Sequence, residues 1–323
     1  MQRTLAHLRT MGFRGRIVLG GPQISYAGKG VAKLYPDAGV FIRGYGELAI
    51  LQLARSSGRP SIPGVLYAGD KDRVEQATLD PADLPSPWLA ETILLQRGGF
   101  IRWETKRGCP YRCAFCQHKE QGQALKHRER SLGDVFAEVR AFCRAGVADI
   151  AVLDPVFNAG RNACKILHEF VHHGFTGRLS LQCRAELVNT EFLDLAERLN
   201  VCLEFGLQTI HSAEMKAIGR ANNLGRIEQA LAGVRARNIE HEVSVIFGLP
   251  EQTLASFIST VRWCLDQQVA VIKAFPLMLL RGTKARSRTG ALGAETGGDN
   301  HAHGRDRVEH IYGERLGDAM AGV

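Results

Sequence analysis

The chain has 323 residues, of which 45% are hydrophobic and 23% charged, and it carries a net charge of +8. This composition suits a globular protein of one large or two ordinary domains. No apolar run approaches the ~20 residues that a membrane-spanning helix requires. Arg3, His7 and Arg9 interrupt any signal core at the N-terminus. The eight cysteines include five scattered ones, Cys143, Cys164, Cys183, Cys202 and Cys264, each within an apolar pattern. Such thiols fit a reducing compartment better than a disulfide framework. The expectation is a soluble, cytoplasmic protein.

In chain order, residues 2–11 can form a helix. Arg16 to Leu19 is a short β run ending at Gly20-Gly21-Pro22, and Phe41-Ile42-Arg43 is a second, ending at Gly44-Tyr45-Gly46-Glu47. A helix follows from Leu48 to Arg55. Strand, glycine turn and helix, repeated, imply a parallel sheet. Ligands of such sheets bind beyond the carboxyl ends of the strands, where these glycines lie, although glycines at these positions can also serve only as turns. Residues 61–95 read as a linker. Their prolines (Pro63, Pro81, Pro85, Pro87) and the charged Asp70-Lys71-Asp72 argue against a packed element there.

A strand over 100–106 leads into Cys109, Cys113 and Cys116, spaced C-x3-C-x2-C. Thiolates this close can converge on one soft metal centre. Three are too few for a closed zinc site or a fully ligated iron–sulfur cluster, so a cluster with one open iron is suggested. A structural zinc loop, a redox pair and buried cysteines are the blander readings. From there the pattern is regular. Ser131 with Asp134 signals the capped start of a helix that Gly146 ends. Strands are expected at 149–153, 178–182, 202–206, 242–247 and 271–275, with helices at 162–173, 189–199, 224–237 and 254–267 between them. Six βα repeats of about thirty residues give a parallel, partly closed barrel over 96–283. Its active site belongs at the C-terminal ends of the strands. The unusual polar motifs all fall there: the cysteine loop, Asp154 to Asn158, Gln182 to Glu186, Glu204 to Thr209, Phe247 to Thr253 and Pro276 to Thr283.

Part of the positive charge surrounds the cysteine loop: Lys106, Arg107, Arg112, Lys119, Lys126, Arg128 and Arg130. No nucleic-acid module accompanies it. A solvated surface, or compensation for anionic ligands, is therefore preferred to a nucleic-acid partner. From Lys284 to Val323 no period is sustained, so at most a short helix and otherwise disorder is expected.

C-x3-C-x2-C with Phe115 before the last cysteine resembles the signature of the radical S-adenosylmethionine (SAM) enzymes. The match extends through "Asp-Pro-Val-Phe-Asn", "Phe-Gly-Leu-Gln-Thr-Ile-His" and "Pro-Leu-Met-Leu-Leu-Arg-Gly-Thr". "Leu-Gly-Gly-Pro-Gln" and "Phe-Ile-Arg-Gly-Tyr-Gly-Glu" resemble the second half of the cobalamin-binding domain that precedes many of these enzymes. Together they are similar to cobalamin-dependent radical SAM methyltransferases, in the group around the tryptophan 2-C-methyltransferase of thiopeptide biosynthesis. The implied fold is α/β: a partial (β/α)6 radical SAM barrel preceded by a partial Rossmann-like cobalamin-binding domain over 1–60, with an irregular tail over 284–323. Only two of about five expected parallel strands of that first domain are present, no Asp-x-His-x-x-Gly motif occurs, and Tyr45 stands where an acidic residue is usual. The chain is expected to be a truncated or frame-shifted version of a longer parent.

The resemblance implies a 4Fe–4S cluster on Cys109, Cys113 and Cys116, its open iron chelated by SAM. One electron then cleaves SAM to a 5′-deoxyadenosyl radical. It implies SAM contacts from Asp154, Asn158, Arg184, Glu186, Glu204, Gln208, Ile246 and Gly248, and cobalamin contacts from Gly20, Gly21, Gly44 and Gly46. The implied reaction is methyl transfer to an unactivated centre. Hydrogen abstraction without cobalamin, a non-catalytic remnant and tRNA modification are the alternatives. The implied partners are a small-molecule or peptide substrate and an electron donor such as flavodoxin or ferredoxin.

Overall fold

A computed structural model describes residues 1–118 and 127–291. Helix α1 (Gln2–Thr10), strand β1 (Val18–Leu19), the short helices α2 (Pro22–Ser25) and α3 (Val31–Leu34), strand β2 (Val40–Ile42) and helix α4 (Glu47–Arg55) follow in order. β1 and β2 are parallel, with Val18 opposite Val40, as a strand–helix–strand connection requires. All three residues of β2 are buried because both of its faces are covered. Phe41 packs with Leu5, Ile24 and Val31, and Val40 and Ile42 pack with Ala49 and Leu53.

The proline-rich segment departs from its sequence pattern. It adds strand β3 (Val65–Tyr67) antiparallel to β2, with Leu66 and Tyr67 buried. Pro63 precedes the strand rather than interrupting it. Asp72 is not a solvated charge; it pairs at 2.9 Å with Arg43, which is only 1% exposed.

Strand β4 (Phe100–Trp103) opens the larger unit, followed by the two-stranded ribbon β5 (Lys106–Arg107) and β6 (Arg128–Glu129). Then come α5 (Leu132–Ala145), β7 (Asp149–Val152), α6 (Ala163–His172), β8 (Arg178–Cys183), α7 (Thr190–Ala196) and β9 (Asn200–Gln208). The chain continues through α8 (Ser212–Ala217), α9 (Leu224–Ala236), β10 (Glu240–Phe247), α10 (Leu254–Asp266), β11 (Val271–Pro276) and α11 (Lys284–Ala291). Strands β4, β7, β8, β9, β10 and β11 form one sheet in that order, all parallel, with β4 and β11 at its edges. Alternate side chains turn toward the helices. Ile150, Leu179, Leu181, Leu203, Phe205 and Val243 pack there with Val139, Phe142, Leu167, Phe170, Leu231 and Phe257 in one core. The polar alternates, among them Gln182, Glu204 and Ser244, are left for the other face of the sheet. Among the described residues no helix is long and apolar enough to cross a membrane.

Two local expectations change. Ser131 makes no capping hydrogen bond. The entry to α5 is held instead by Arg130, whose N–H donates to Thr105 at 2.9 Å and whose guanidinium bonds the fully buried Glu138 at 2.7 Å. At the other end Gly146 does take the left-handed conformation, with φ of +66°. The tail begins with the short helix α11, and residues 292–323 lie outside the described residues.

Candidate active site

Gly108, with φ of +80°, turns the chain from β5 into the cysteine loop. Cys109 and Cys113 are buried and Cys116 is partly so. The middle of the loop is pinned from two sides: Ala114 N–H donates to the Ile218 carbonyl at 2.7 Å, and its carbonyl accepts from Ala285 at 3.0 Å. Burial pushes the Cys109 thiol up, and it pushes Cys116 up to about 11; the charge of the neighbouring Cys113 adds to both. Binding a soft metal would therefore release protons from these thiols. Among the described residues no three potential ligands converge on a single ion. A cubane does not require that, since each thiolate serves a different iron. The donor set fits such a cluster.

The residues expected to meet SAM separate into two kinds. Asp154 is fully buried. One carboxylate oxygen accepts from the Thr105 and Lys106 N–H groups at 2.8 and 3.1 Å, and the other accepts from the Thr105 hydroxyl. Both oxygens thus tie the end of β7 to the chain between β4 and β5. Burial holds this carboxyl above the usual range, opposed by the charge of Lys106. Asn158 is likewise engaged, exchanging two hydrogen bonds with the backbone of Arg184 at 2.8 and 2.9 Å. Arg184 lies over the Tyr111 ring at 4.2 Å, pairs with Glu186 at 2.7 Å and donates to the Ala221 carbonyl at 2.8 Å. Burial alone would raise the Glu186 carboxyl, but the Arg184 bonds, a backbone N–H and the Arg184 charge outweigh it and hold the carboxyl below its ordinary range.

Glu204 lies within β9 opposite Glu242 of β10. Burial, and then the charge of Glu242, raise its carboxyl, while Lys273, 2.5 Å from Glu242, opposes the rise. Gln208 ends the strand at φ of +72°, just past a register shift between Ser244 and Val245, and its amide reaches the Ser244 hydroxyl at 3.5 Å. Ile246 packs with Phe115, Ile218, Leu249 and Leu277. This apolar cluster joins the cysteine loop to the end of β10. The Gly248 N–H is taken by Gln252 Oε1 at 2.7 Å, so that donor is already committed within the protein.

Gly20, Gly21, Gly44 and Gly46 line a cleft of about 780 Å³ together with Lys106, Arg107, Gly108, Gln117 and His118. Gly21 has φ of +82°, and a Cβ there would meet nothing within 4 Å. Gly44 has φ of +79°, and a Cβ there would stand 2.3 Å from the Ala77 carbonyl. The first glycine leaves open backbone in the cleft; the second is required by the fold itself. Tyr26 closes one end of the cleft by donating from its hydroxyl to the Gln117 carbonyl.

Sequence patterns missed two features of the site. Lys106, by sequence one of the charges around the cysteine loop, is buried and donates to the Phe157 and Ala159 carbonyls. Lys119 and Lys126 of that group lie outside the described residues. Arg220 stands 3.8 Å from the Cys113 sulfur; the available signal was a glycine turn and an arginine following α8, on the same rim as Gln208. Residues His168-Glu169-Phe170-Val171-His172 have the spacing of a zinc hydrolase helix. Glu169 there is paired with Arg140 at 2.9 Å and His173 at 3.2 Å, and no third ligand joins the two histidines among the described residues.

The sequence profile of the radical SAM superfamily matches residues 103–264, half of the chain. The chain belongs to that superfamily. Family membership brings a 4Fe–4S cluster and SAM as cofactors. Among curated relatives the chain is 27% identical over 276 residues to the cobalamin-dependent radical SAM methyltransferase TokK of Streptomyces tokunonensis, covering 75% of this chain and 39% of that protein. It is 24% identical over 317 residues to the tryptophan 2-C-methyltransferase of Streptomyces laurentii, covering 74% of this chain and 52% of that protein. The chain therefore spans between two fifths and half of these relatives' lengths. The fold is that of the radical SAM methyltransferase TsrM from Kitasatospora setae, solved with cobalamin and a [4Fe–4S] cluster bound, with a TM-score of 0.73, 20% identity, and coverage of 93% of this chain and 65% of that one.

Proposed function

We propose that this chain holds a [4Fe–4S] cluster on Cys109, Cys113 and Cys116, binds SAM beside it and cobalamin in the adjoining cleft, and transfers a methyl group to an unactivated centre of a small molecule or peptide. The observation that carries this reading is the cleft. Two motifs far apart in the chain, the glycine turns and the two ends of the cysteine loop (Gly108, Gln117 and His118), line one space of about 780 Å³. The methyltransferase activities of the curated relatives point the same way.

When bound, the cluster supplies one electron for cleavage of SAM, and cobalamin supplies a carrier for the methyl group. The protein's own part is binding and exclusion. Phe115, Ile246 and Leu249 would form the apolar wall for adenine. Arg184 would meet the SAM carboxylate through Nη1, since its Nε and Nη2 already serve Glu186 and the Ala221 carbonyl. Glu186 would hold Arg184 in place, and Gln208 would offer its amide at the strand end. Gly248 would contribute backbone and Glu204 a polar group deeper in the sheet. Asp154 and Asn158 would brace the loops rather than touch SAM, because their polar atoms are already engaged. Gly20, Gly21 and Gly46 would let cobalamin approach the backbone. An electron donor such as flavodoxin or ferredoxin would supply the reductant.

Anaerobic reconstitution with iron and sulfide, followed by gel filtration with cobalamin and assay for 5′-deoxyadenosine, tests the reading. The expected result is a 4Fe–4S spectrum lost in Cys109→Ala, retained cobalamin, and 5′-deoxyadenosine formed with reductant. A cluster without retained cobalamin would favour radical chemistry that needs none. No cluster under any condition would leave a non-catalytic binding protein.

A further inference from the structure

We infer that Arg220 sets the reduction potential of the cluster through its hydrogen bond to the Cys113 sulfur; the inference rests on the reading that Cys109, Cys113 and Cys116 hold that cluster. Gly219, with φ of +63°, turns the chain so that Arg220 points back across the rim. All three guanidinium nitrogens are used. Nη2 donates to the Gly206 carbonyl near the end of β9, Nε donates to Asn222 Oδ1 at 3.1 Å, and Nη1 reaches Cys113 Sγ at 3.8 Å. Asn222 is itself fixed, donating to the Leu207 and Thr209 carbonyls at 2.8 and 2.9 Å.

The other side of the contact is equally constrained. Ala114, next to Cys113, donates to the Ile218 carbonyl at 2.7 Å, two residues before Arg220. The arginine and the thiolate are therefore held by the same pair of segments, and the charge of Arg220 also bears on Cys109 and Cys116. This differs from a long side chain reaching across an exposed surface, where ordering the chain would offset most of the gain. A donor on a cluster thiolate, and a fixed positive charge beside it, favour the reduced cluster, which carries one more negative charge. Arg220 thus makes the cluster easier to reduce.

The test is a dithionite titration of the anaerobically reconstituted full chain without SAM, followed by electron paramagnetic resonance, in wild type, R220Q and R220K. The expected result is equal iron and sulfide content, with the R220Q midpoint clearly more negative than wild type and that of R220K in between. If R220Q does not load a cluster, R220K decides alone, because it keeps the charge and loses the fork of donors. An unchanged midpoint in a variant that carries the cluster overturns the inference and leaves the cluster reading standing. An unchanged midpoint together with weaker SAM binding, measured separately by equilibrium dialysis on the same variants, also overturns the inference and makes Arg220 a SAM ligand instead. A wild-type chain that takes up no cluster overturns both.

Discussion

Arg107 and Glu47 meet across the cleft, with Nη1 2.7 Å from Oε1. Arg107 comes from the ribbon that leads into the cysteine loop, and Glu47 starts the helix after the second glycine turn. The same guanidinium bonds Glu104 at 2.8 Å and lies 4.9 Å from the centre of the Tyr45 ring. Burial would lower the Arg107 pKa, but the two carboxylates outweigh it and hold the guanidinium above its ordinary value. Tyr45, the departure from the usual acidic residue of this motif, thus supplies a stacking surface.

Arg107→Ala should loosen this junction while leaving the cysteines untouched. Cobalamin retention should fall by about fivefold, the equivalent of ~1 kcal/mol, with iron content unchanged. Equilibrium gel filtration beside iron analysis measures both. Loss of iron in parallel would mean that Arg107 supports the cysteine loop rather than the cleft.

Gly21 and Gly44, both at positive φ, should respond differently. Gly21→Ala meets no atom, so its cost is the backbone alone, held at φ +82° and ψ −175°, about 1–3 kcal/mol, yet its new methyl group occupies the cleft. Gly44→Ala drives a Cβ to 2.3 Å from a carbonyl oxygen and should break the bridge between Gly44 and Ala77. Urea denaturation should find Gly44→Ala much the less stable. Cobalamin retention should fall in both, and equal retention in Gly21→Ala and wild type would argue against backbone contact at that turn.

Asp154→Ala removes the acceptor for two buried N–H groups and a hydroxyl. Leaving these donors unpaired should cost about 3 kcal/mol, read as a lower denaturation midpoint in the cluster-free protein. A SAM ligand with no structural role would show unchanged stability and weakened SAM binding instead.

The Arg184–Glu186 pair should make stability pH-dependent. The Glu186 pKa is lower folded than unfolded, so its contribution is fully present above the unfolded value of about 4.3 and is lost as pH falls through the folded value. The difference in stability between wild type and Glu186→Gln should be constant near neutrality and shrink below about pH 4. A difference that grew on acidification would contradict the assignment.

Short-range pattern made much of this protein legible. Periodicity of two and of 3.6 placed the strands and helices of the six-stranded sheet, because each element must bury one face. The cysteine spacing and the glycine turns are local as well, and they carried the family resemblance. Polar side chains were less legible, since their role depends on partners that periodicity does not encode. Lys106 and Asp154 look like rim charges in sequence and are buried with their hydrogen-bonding atoms engaged. Val65 to Tyr67 lies among prolines and charges, yet forms a strand because β2 offers it an edge and Arg43 neutralises Asp72.

What the sequence by itself determined is therefore the set of elements, the three-thiolate loop and the glycine turns. Only the tertiary structure decided that the loop and the turns line one cleft, and that Arg220 meets Cys113 from 107 residues away. The physical reason is that such meetings follow from strand order, register and helix packing across the whole sheet, where a shift of one residue in register would turn every side chain to the other face.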